Sequence, residues 1–150
     1  MEERLMAEYI GKDAEKIMGA NTNWSAAIWG QSIGPVWFFY RKSYLVGVLF
    51  IIATFIIGSI ASSLGIDKAY YIMFFIYLFT ANKLYLWDVR RKVNKIMSSG
   101  YMSEEQLIAT AREKGGTSII TTVIYVVCLI AFMAIYFIAI FSTMSALMSM

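Results

Sequence analysis

The residues of this chain that could do chemistry are mostly its basic residues, because the usual catalytic and metal-binding types are scarce. The sequence has no histidine and a single cysteine, Cys128. Histidine is the commonest general base and imidazole ligand, and a lone cysteine can form neither an internal disulfide nor a metal-binding pair. The sequence also has no glycine-rich phosphate-binding motif. It therefore predicts no enzyme, no metal site and no cofactor.

Two clusters of basic residues lie beside long apolar segments. The first is Arg41 with Lys42, and the second consists of Arg90, Arg91, Lys92 and Lys95. Each cation close to an anionic membrane surface gains about 1 kcal/mol. We therefore expect these six residues to contact anionic lipid headgroups. We expect no nucleic-acid partner, because a cluster tethered beside a bilayer meets lipid first.

Aromatic residues accompany the first basic cluster. Pro35 is well placed to begin a helix, and that helix could continue to Leu64. On it, four residues would share one face by their spacing: Trp37, Tyr40, Arg41 and Tyr44. With Trp24, the three rings suit a membrane interface, and arginine can hold a phosphate through paired hydrogen bonds. An aromatic belt with flanking cations is the simpler interpretation, and a dedicated ligand pocket is the alternative.

The composition indicates a membrane protein that would position these clusters. Of the 150 residues, 59% are hydrophobic and 15% are charged, and the mean hydropathy is +0.63. Soluble domains have roughly 45 to 50% apolar and about 25% charged residues. Uncharged or nearly uncharged segments long enough to cross a bilayer occur at 44–64, 69–87 and 118–141. We therefore predict one all-α membrane domain over residues 1–150 with three transmembrane helices.

The remaining segments are predicted to flank these spans. Residues 1–22 form an amphipathic N-terminus, and residues 23–43 form an interfacial or re-entrant aromatic segment. The second span continues as a basic helix to about residue 97. Ser103 and Gln106 have the spacing of a capping box and begin a connector helix over 103–114. Residues 142–150 form a short uncharged tail.

The basic residues also predict an orientation. Twelve of the 13 lysines and arginines lie before the first span or around the joint between the second and third, and only Lys68 lies at the other end. Cytoplasmic loops of membrane proteins carry the excess of basic residues. We therefore expect a multi-pass protein of the plasma membrane, with a cytoplasmic N-terminus and an external C-terminus.

Small residues in the first span suggest helix packing. Gly58 with Ser62, and Ala61 with Gly65, have the four-residue spacing that lets helices approach closely. The partner could be another helix of this chain, a second copy or a different membrane protein. We predict a non-catalytic scaffold or regulatory subunit that associates with anionic lipid and partner helices. The alternative is a subunit of a homo-oligomeric channel or transporter lined by hydroxyl groups.

Several stretches resemble one family of small bacterial membrane proteins, domain of unknown function 2628. They are YIGKDAEKI from Tyr9, NWSAA from Asn23, GPVWFFYRKSY from Gly34, ANKLYLWDVRRKVNKI from Ala81, and the connector that ends in KGGTS at Ser118. The resemblance covers most of residues 9–118. It implies an integral membrane protein and supplies no activity.

Overall fold

In the computed structural model, the chain is described over residues 1–66, 69–100 and 103–148. These residues form eight α-helices and no β-strand, which confirms the all-α prediction. The helices are α1 (Glu2–Ile10), α2 (Ala14–Gly19), α3 (Trp24–Ile33), α4 (Val36–Tyr40), α5 (Tyr44–Ser63), α6 (Ala69–Met97), α7 (Glu104–Lys114) and α8 (Ile119–Met148).

Three helical stretches of the described chain are long and apolar enough to cross a membrane. They are α5, the part of α6 from Tyr71 onwards, and a stretch that ends at Ser145 and contains most of α8. At 1.5 Å per residue, the 20 residues of α5 extend about 30 Å, which is the thickness of the hydrocarbon layer. The protein is therefore compatible with a multi-pass membrane protein, as predicted.

The core between these helices is built from stacked aromatic rings. Phe50 of α5 stacks between Phe38 of α4 and Tyr77 of α6, at centroid distances of 4.8 and 4.5 Å. Gly30 of α3 packs directly on Tyr77, because a Cβ at Gly30 would lie 2.8 Å from the ring. Glycine therefore lets α3 lie against the middle of α6.

Helices α1 and α7 pack on the last turns of α6, and α2 lies nearer the middle of α6, where Asn82 donates to the carbonyl oxygen of Ala20. We call α1, α2, α7 and the last turns of α6 the charged cap. Apolar side chains of α1 and α6 are buried between them: Leu5, Met6, Tyr9, Ile10, Val89, Val93 and Ile96. The predicted capping box is present, since Ser103 and Gln106 bond each other's backbone N–H groups. Gly116 N donates to the carbonyl oxygen of Tyr9 at 2.7 Å, which joins the end of α7 to α1.

The predicted continuous helix from Pro35 to Leu64 is wrong. The chain breaks between α4 and α5, where Lys42 adopts a φ of 56° and Ser43 N donates back to the carbonyl oxygen of Phe38 at 2.8 Å. A positive φ costs a non-glycine residue about 1 kcal/mol or more, so other contacts must stabilise the break. The side-chain bonds of Arg41, Lys42 and Ser43 described below supply them.

Helix α8 is joined to the rest of the described chain near its beginning. Ser118 N donates to the carbonyl oxygen of Tyr40 at 2.8 Å, and the Tyr125 hydroxyl donates to that of Ile33 at 3.1 Å. The Tyr125 ring stacks on Phe39 at 4.5 Å. Beyond Val126 almost all described side chains of α8 are exposed, although they are apolar. An apolar solvent such as lipid would satisfy them.

Candidate functional site

Arg41 is buried at the junction of α4, α5 and the charged cap. Its side chain is only 6% exposed, pairs with the carboxylate of Asp13 and donates to the carbonyl oxygen of Ile10 at 3.3 Å. The guanidinium carbon lies 5.8 Å from the ring centroid of Trp37 and 5.9 Å from that of Tyr40. Its Nε has no hydrogen-bond partner among the described residues. This nitrogen is almost fully enclosed, and the buried hydroxyl of Tyr85, which also lacks a partner in the described part of the chain, lies beside Arg41 as a candidate acceptor.

A cavity of about 690 Å³ adjoins Arg41, and we call it the Arg41 cavity. Near the cap it is lined by Asp13, Lys16 and Arg41. Its aromatic and aliphatic walls come mostly from α3, α4 and the beginning of α8: Trp24, Trp29, Ile33, Trp37, Tyr40 and Val126. Polar side chains also line it, among them Asn23 and, from α6, Asn82. The cavity therefore combines a charged end with a long apolar wall.

The predicted aromatic face is only partly assembled. Trp37, Tyr40 and Arg41 do come together, but the break after α4 turns Tyr44 away, so that its ring lies 6.2 Å from Phe39 instead. Trp37 is buried inside the protein, whereas Trp24 is 60% exposed on the outer side of α3.

A second group of charged residues surrounds Asp88, and we call it the Asp88 cluster. The Asp88 side chain is fully buried and accepts a 2.6 Å hydrogen bond from the Ser43 hydroxyl. It also pairs with Lys92 Nζ at 2.7 Å and with Arg91 at 3.1 Å. Lys92 donates in addition to the carbonyl oxygen of Lys42 at 2.8 Å. The cluster therefore ties α6 to the break between α4 and α5.

Lys42 connects the same break to α7. Its Nζ donates to the carbonyl oxygen of Gly115 at 2.6 Å. Gly115 in turn lies so close to α1 that an added Cβ would overlap the carbonyl oxygen of Tyr9. Lys42 therefore has a structural role in addition to its predicted contact with lipid.

Buried amides form a third polar group at the beginning of α3. Asn23 Oδ1 accepts from Ala26 N at 2.8 Å and so caps α3, while Asn23 Nδ2 donates to Asn82 Oδ1 at 2.7 Å. Asn82 Nδ2 donates to the carbonyl oxygen of Ala20 at 3.0 Å. No sequence pattern had indicated a structural role for Asn82 or for Asp88. The apolar neighbours of Asp88 in α6, Tyr85 and Val89, were the only local signal of its burial.

The cations of α6 differ in how firmly the protein holds them. Lys92 is held by buried Asp88, whereas Arg90 pairs at 2.9 Å with Glu2 although both side chains are largely exposed. Arg91 is 53% exposed despite its bond to Asp88, and its guanidinium carbon lies 5.4 Å from the ring centroid of Trp87. Lys95 is exposed.

The cap is also joined by exposed ion pairs and contains one perturbed phenol. Arg4 pairs with Glu104 at 2.9 Å, and Arg112 pairs with Glu8 at 2.6 Å. The hydrogen bond from Arg112 lowers the pKa of Glu8. Burial raises the pKa of Tyr9 to about 12, and the charge of Asp88 adds to this rise.

The small residues of α5 do not all behave as a packing face within this chain. Ala61 is buried, but Ser62 is exposed, a Cβ added at Gly58 would meet no described atom within 4 Å, and Gly65 has a φ of 65° just beyond α5. Three hydroxyl groups considered as channel lining donate to carbonyl oxygens four residues earlier: Thr54 to Phe50, Thr80 to Ile76 and Thr122 to Ser118. A fourth, Thr121, donates to the carbonyl oxygen of Phe39 in α4. The close approaches among the described residues are made by Gly30, Gly34, Gly47 and Gly115 instead.

Comparison with known proteins places the chain in one family. No curated protein and no solved structure matches it. Residues 6–91 match the family described as "Protein of unknown function (DUF2628)". The matched part contains Arg41, most walls of the Arg41 cavity and Asp88. Since the match covers more than half of the 150 residues, the chain belongs to the DUF2628 family.

Proposed function

We propose that this protein is a non-catalytic multi-pass membrane protein, a scaffold or regulatory subunit, that associates with anionic lipid through its charged end. The observation that carries the proposal is the pairing of Trp87 with Arg91 where α6 leaves its apolar part. The Trp87 ring is 50% exposed, and the guanidinium carbon of Arg91 lies 5.4 Å from its centroid. An exposed indole beside an exposed cation suits the headgroup layer of an anionic bilayer.

The internal ion pairs leave three of the four cations on α6 as proposed lipid contacts: Arg90, Arg91 and Lys95. Exposed pairs such as Arg90 with Glu2 contribute only about 0 to 1 kcal/mol, so a lipid phosphate can compete for them. Arg91 keeps donors for lipid because its side chain is half exposed, and Lys95 is exposed. Lys92 is held by fully buried Asp88, so we assign it a structural role.

We also propose that residues 23–43 enter the membrane and return. Helix α3 packs on Tyr77, which lies ten residues before Trp87 in α6, or about 15 Å along the helix axis. That distance is about half of a 30 Å hydrocarbon layer. The outward side chains Trp24, Ile28 and Trp29 are each exposed by half or more, as expected for groups that face lipid. A re-entrant position is therefore favoured over an interfacial one.

The positions of the charges support the cytoplasmic orientation of this end. All six ion pairs that the described residues form lie in the cap or at its junction with α4 and α5. The positive-inside tendency then favours a cytoplasmic cap in the plasma membrane and an external end of α8.

Lipid selectivity of two double variants tests the lipid proposal. The first, Arg90→Gln with Arg91→Gln, removes two cations beside Trp87. The matched control, Arg4→Gln with Arg112→Gln, removes two ion-paired arginines of α1 and α7. We expect the wild type and the control to prefer phosphatidylglycerol over phosphatidylcholine in mixed nanodiscs, and the first variant to lose most of this preference.

High salt should weaken the wild-type preference in the same way, because exposed charges are screened. Equal lipid composition around all three proteins would contradict the proposal. Equal losses in both double variants would also contradict it, because net charge and not the position at Trp87 would then decide.

A further inference from the structure

We infer that the Arg41 cavity binds one anionic phospholipid of the surrounding bilayer, with the phosphate on the guanidinium of Arg41 and the acyl part along the tryptophan-lined wall. This inference deepens the proposed function and rests on it. The Arg41 cavity is a binding site enclosed by side chains of the protein, whereas the lipid contacts proposed above involve the exposed cations of α6.

Arg41 lines the cavity with a buried guanidinium. The side chain is more than nine-tenths buried and lines the cavity, yet its Nε has no hydrogen-bond partner among the described residues. One of its terminal nitrogens is bound to a carbonyl oxygen and the other to Asp13. A phosphate has several acceptor oxygens and can bond neighbouring donors of one guanidinium. An oxyanion that takes the place of the exchangeable Asp13 carboxylate would therefore find charge-assisted donors on Arg41.

Two of the tryptophans that line the cavity lie at different heights along α6. Trp37, beside Arg41, lies 5.2 Å from the ring of Tyr85, whereas Trp24 lies 6.2 Å from Phe74. Tyr85 and Phe74 are eleven residues apart on α6, or about 16 Å. The tryptophan wall thus extends from the charged cap towards the apolar half of α6, past the polar side chains of Asn23 and Asn82, which also line the cavity. A phospholipid has the same order of charge and hydrocarbon along its length.

The cavity is large enough for more than a phosphate group. A volume of about 690 Å³ falls within the range of roughly 300 to 1,000 Å³ that is typical of small-molecule sites, and it is far more than a phosphate ion fills. Two half-exposed tryptophans, Trp24 and Trp29, form part of the wall. Their rings offer apolar surface to an acyl chain and leave a route from the bilayer into the cavity.

Asp13 acts as the internal counter-ion of this site. Its side chain is 53% exposed, so water or a ligand can replace its contact with Arg41. Lys16 also lines the charged end and supplies a second cation to a bound phosphate. A lipid phosphate that binds Arg41 must compete with the Asp13 carboxylate. Removal of the carboxylate should therefore strengthen lipid binding.

The test measures phosphatidylglycerol that stays bound to the purified full-length protein after exchange into a zwitterionic detergent, by native mass spectrometry. Arg41→Gln should reduce affinity by about tenfold or more, as expected for loss of a charge-assisted hydrogen bond. Val126→Trp fills the cavity from α8 without touching Arg41 and should reduce it similarly. Asp13→Asn should increase it. Arg4→Gln, which removes an exposed arginine of α1 that pairs with Glu104, is the matched control and should leave it unchanged.

A competition arm distinguishes lipid from a soluble ligand. Inorganic phosphate and glycerol 3-phosphate carry the same anionic group but no acyl chain. At concentrations that release lipid headgroups from the exposed cations of α6, neither should displace the lipid from the Arg41 cavity. Displacement by either at such concentrations would overturn the assignment to a phospholipid.

The remaining outcomes separate this inference from the proposed function. If folded Val126→Trp and Asp13→Asn both retain the lipid as the wild type does, the cavity is not the site. The proposed function would then still stand on the Arg90 and Arg91 result. If the cavity variants alter retention while the α6 variants leave lipid preference unchanged, the inference holds and the exposed cluster has only an orienting role.

Discussion

At the residue scale, Gly115 decides how closely α7 approaches α1. A Cβ there would overlap the carbonyl oxygen of Tyr9, and the neighbouring Gly116 N donates to that same oxygen. Gly115→Ala must therefore push the two segments apart and weaken the cap. We expect it to lower the free energy of unfolding by about 1 to 3 kcal/mol, as overpacking does.

Gly19→Ala is the matched control for this prediction. Gly19 ends α2, and an added Cβ would meet no described atom within 4 Å. We expect this substitution to be neutral or slightly stabilising. Thermal unfolding in mild detergent compares the two proteins, and equal midpoints would show that α7 can move away from α1 without loss.

Asp88 is the carboxylate whose loss the protein should tolerate least. Asp88→Asn would leave the largely buried Lys92 without its counter-charge and would weaken the bond from Ser43. Removing one partner of a buried ion pair costs about 3 to 5 kcal/mol, whereas an exposed pair is worth about 0 to 1 kcal/mol. Glu2→Gln, which removes the exposed partner of Arg90, is the control.

Unfolding curves of the two carboxylate variants should therefore differ clearly. The Asp88→Asn protein should unfold at much lower temperature or denaturant concentration, and the Glu2→Gln protein should resemble the wild type. A small effect in both would mean that Lys92 finds another partner or reaches water when Asp88 is neutral.

At the element scale, the question is which small residues allow helices to pack. Gly30 of α3 lies against the ring of Tyr77, so Gly30→Ala should separate α3 from α6 and destabilise the protein by about 1 to 3 kcal/mol. A Cβ at Gly58 of α5 would meet no described atom within 4 Å, so Gly58→Ala should be neutral or stabilising in the monomer.

The same pair of variants tests self-association. If Gly58→Ala alone lowers stability, and the apparent size in detergent also falls, then the Gly58 face packs on a second copy. That result would support the packing face of Gly58 and Ser62 predicted from the sequence, with a second copy of the protein as the partner.

Local sequence rules were sufficient for some elements and insufficient for others. The three apolar helices and α7 follow from uninterrupted hydropathy and from the Ser103 capping box, which are properties of neighbouring residues. The break at Lys42 depends on partners far away in sequence, because Ser43 bonds Asp88 and Lys42 bonds Gly115. Local spacing therefore predicted one continuous helix and one shared aromatic face where the structure has two helices.

Part of the candidate site could likewise be predicted from neighbouring residues, and part depends on contacts between helices. Arg41, Trp37 and Tyr40 were singled out by their types and spacing, and they do meet in the structure. Asp13 and the cavity itself could not be predicted, because they depend on how α2 and α8 are placed against α4. The six predicted lipid contacts stay a prediction, and the structure adds that Lys42 and Lys92 also hold the protein together.

At the scale of the whole molecule, charge and apolar surface are separated along one axis. The ion-paired cap lies at one end of α6, and the long exposed apolar faces of α5 and α8 extend from it. The Arg41 cavity lies at their junction, where a headgroup can meet charge and an acyl chain can meet apolar walls. This arrangement is compatible with a bilayer that begins at the cap.

The most direct measurement of this account is the accessibility of single cysteines in intact cells. With Cys128→Ser as the background, Lys95→Cys places a thiol on the cap and Ser149→Cys places one beyond the described part of α8. We predict that an impermeant thiol reagent labels the cysteine at 149 in intact cells and labels the one at 95 only after permeabilisation. Labelling of the cysteine at 95 in intact cells, or of both from the same side, would contradict a three-span protein with a cytoplasmic cap.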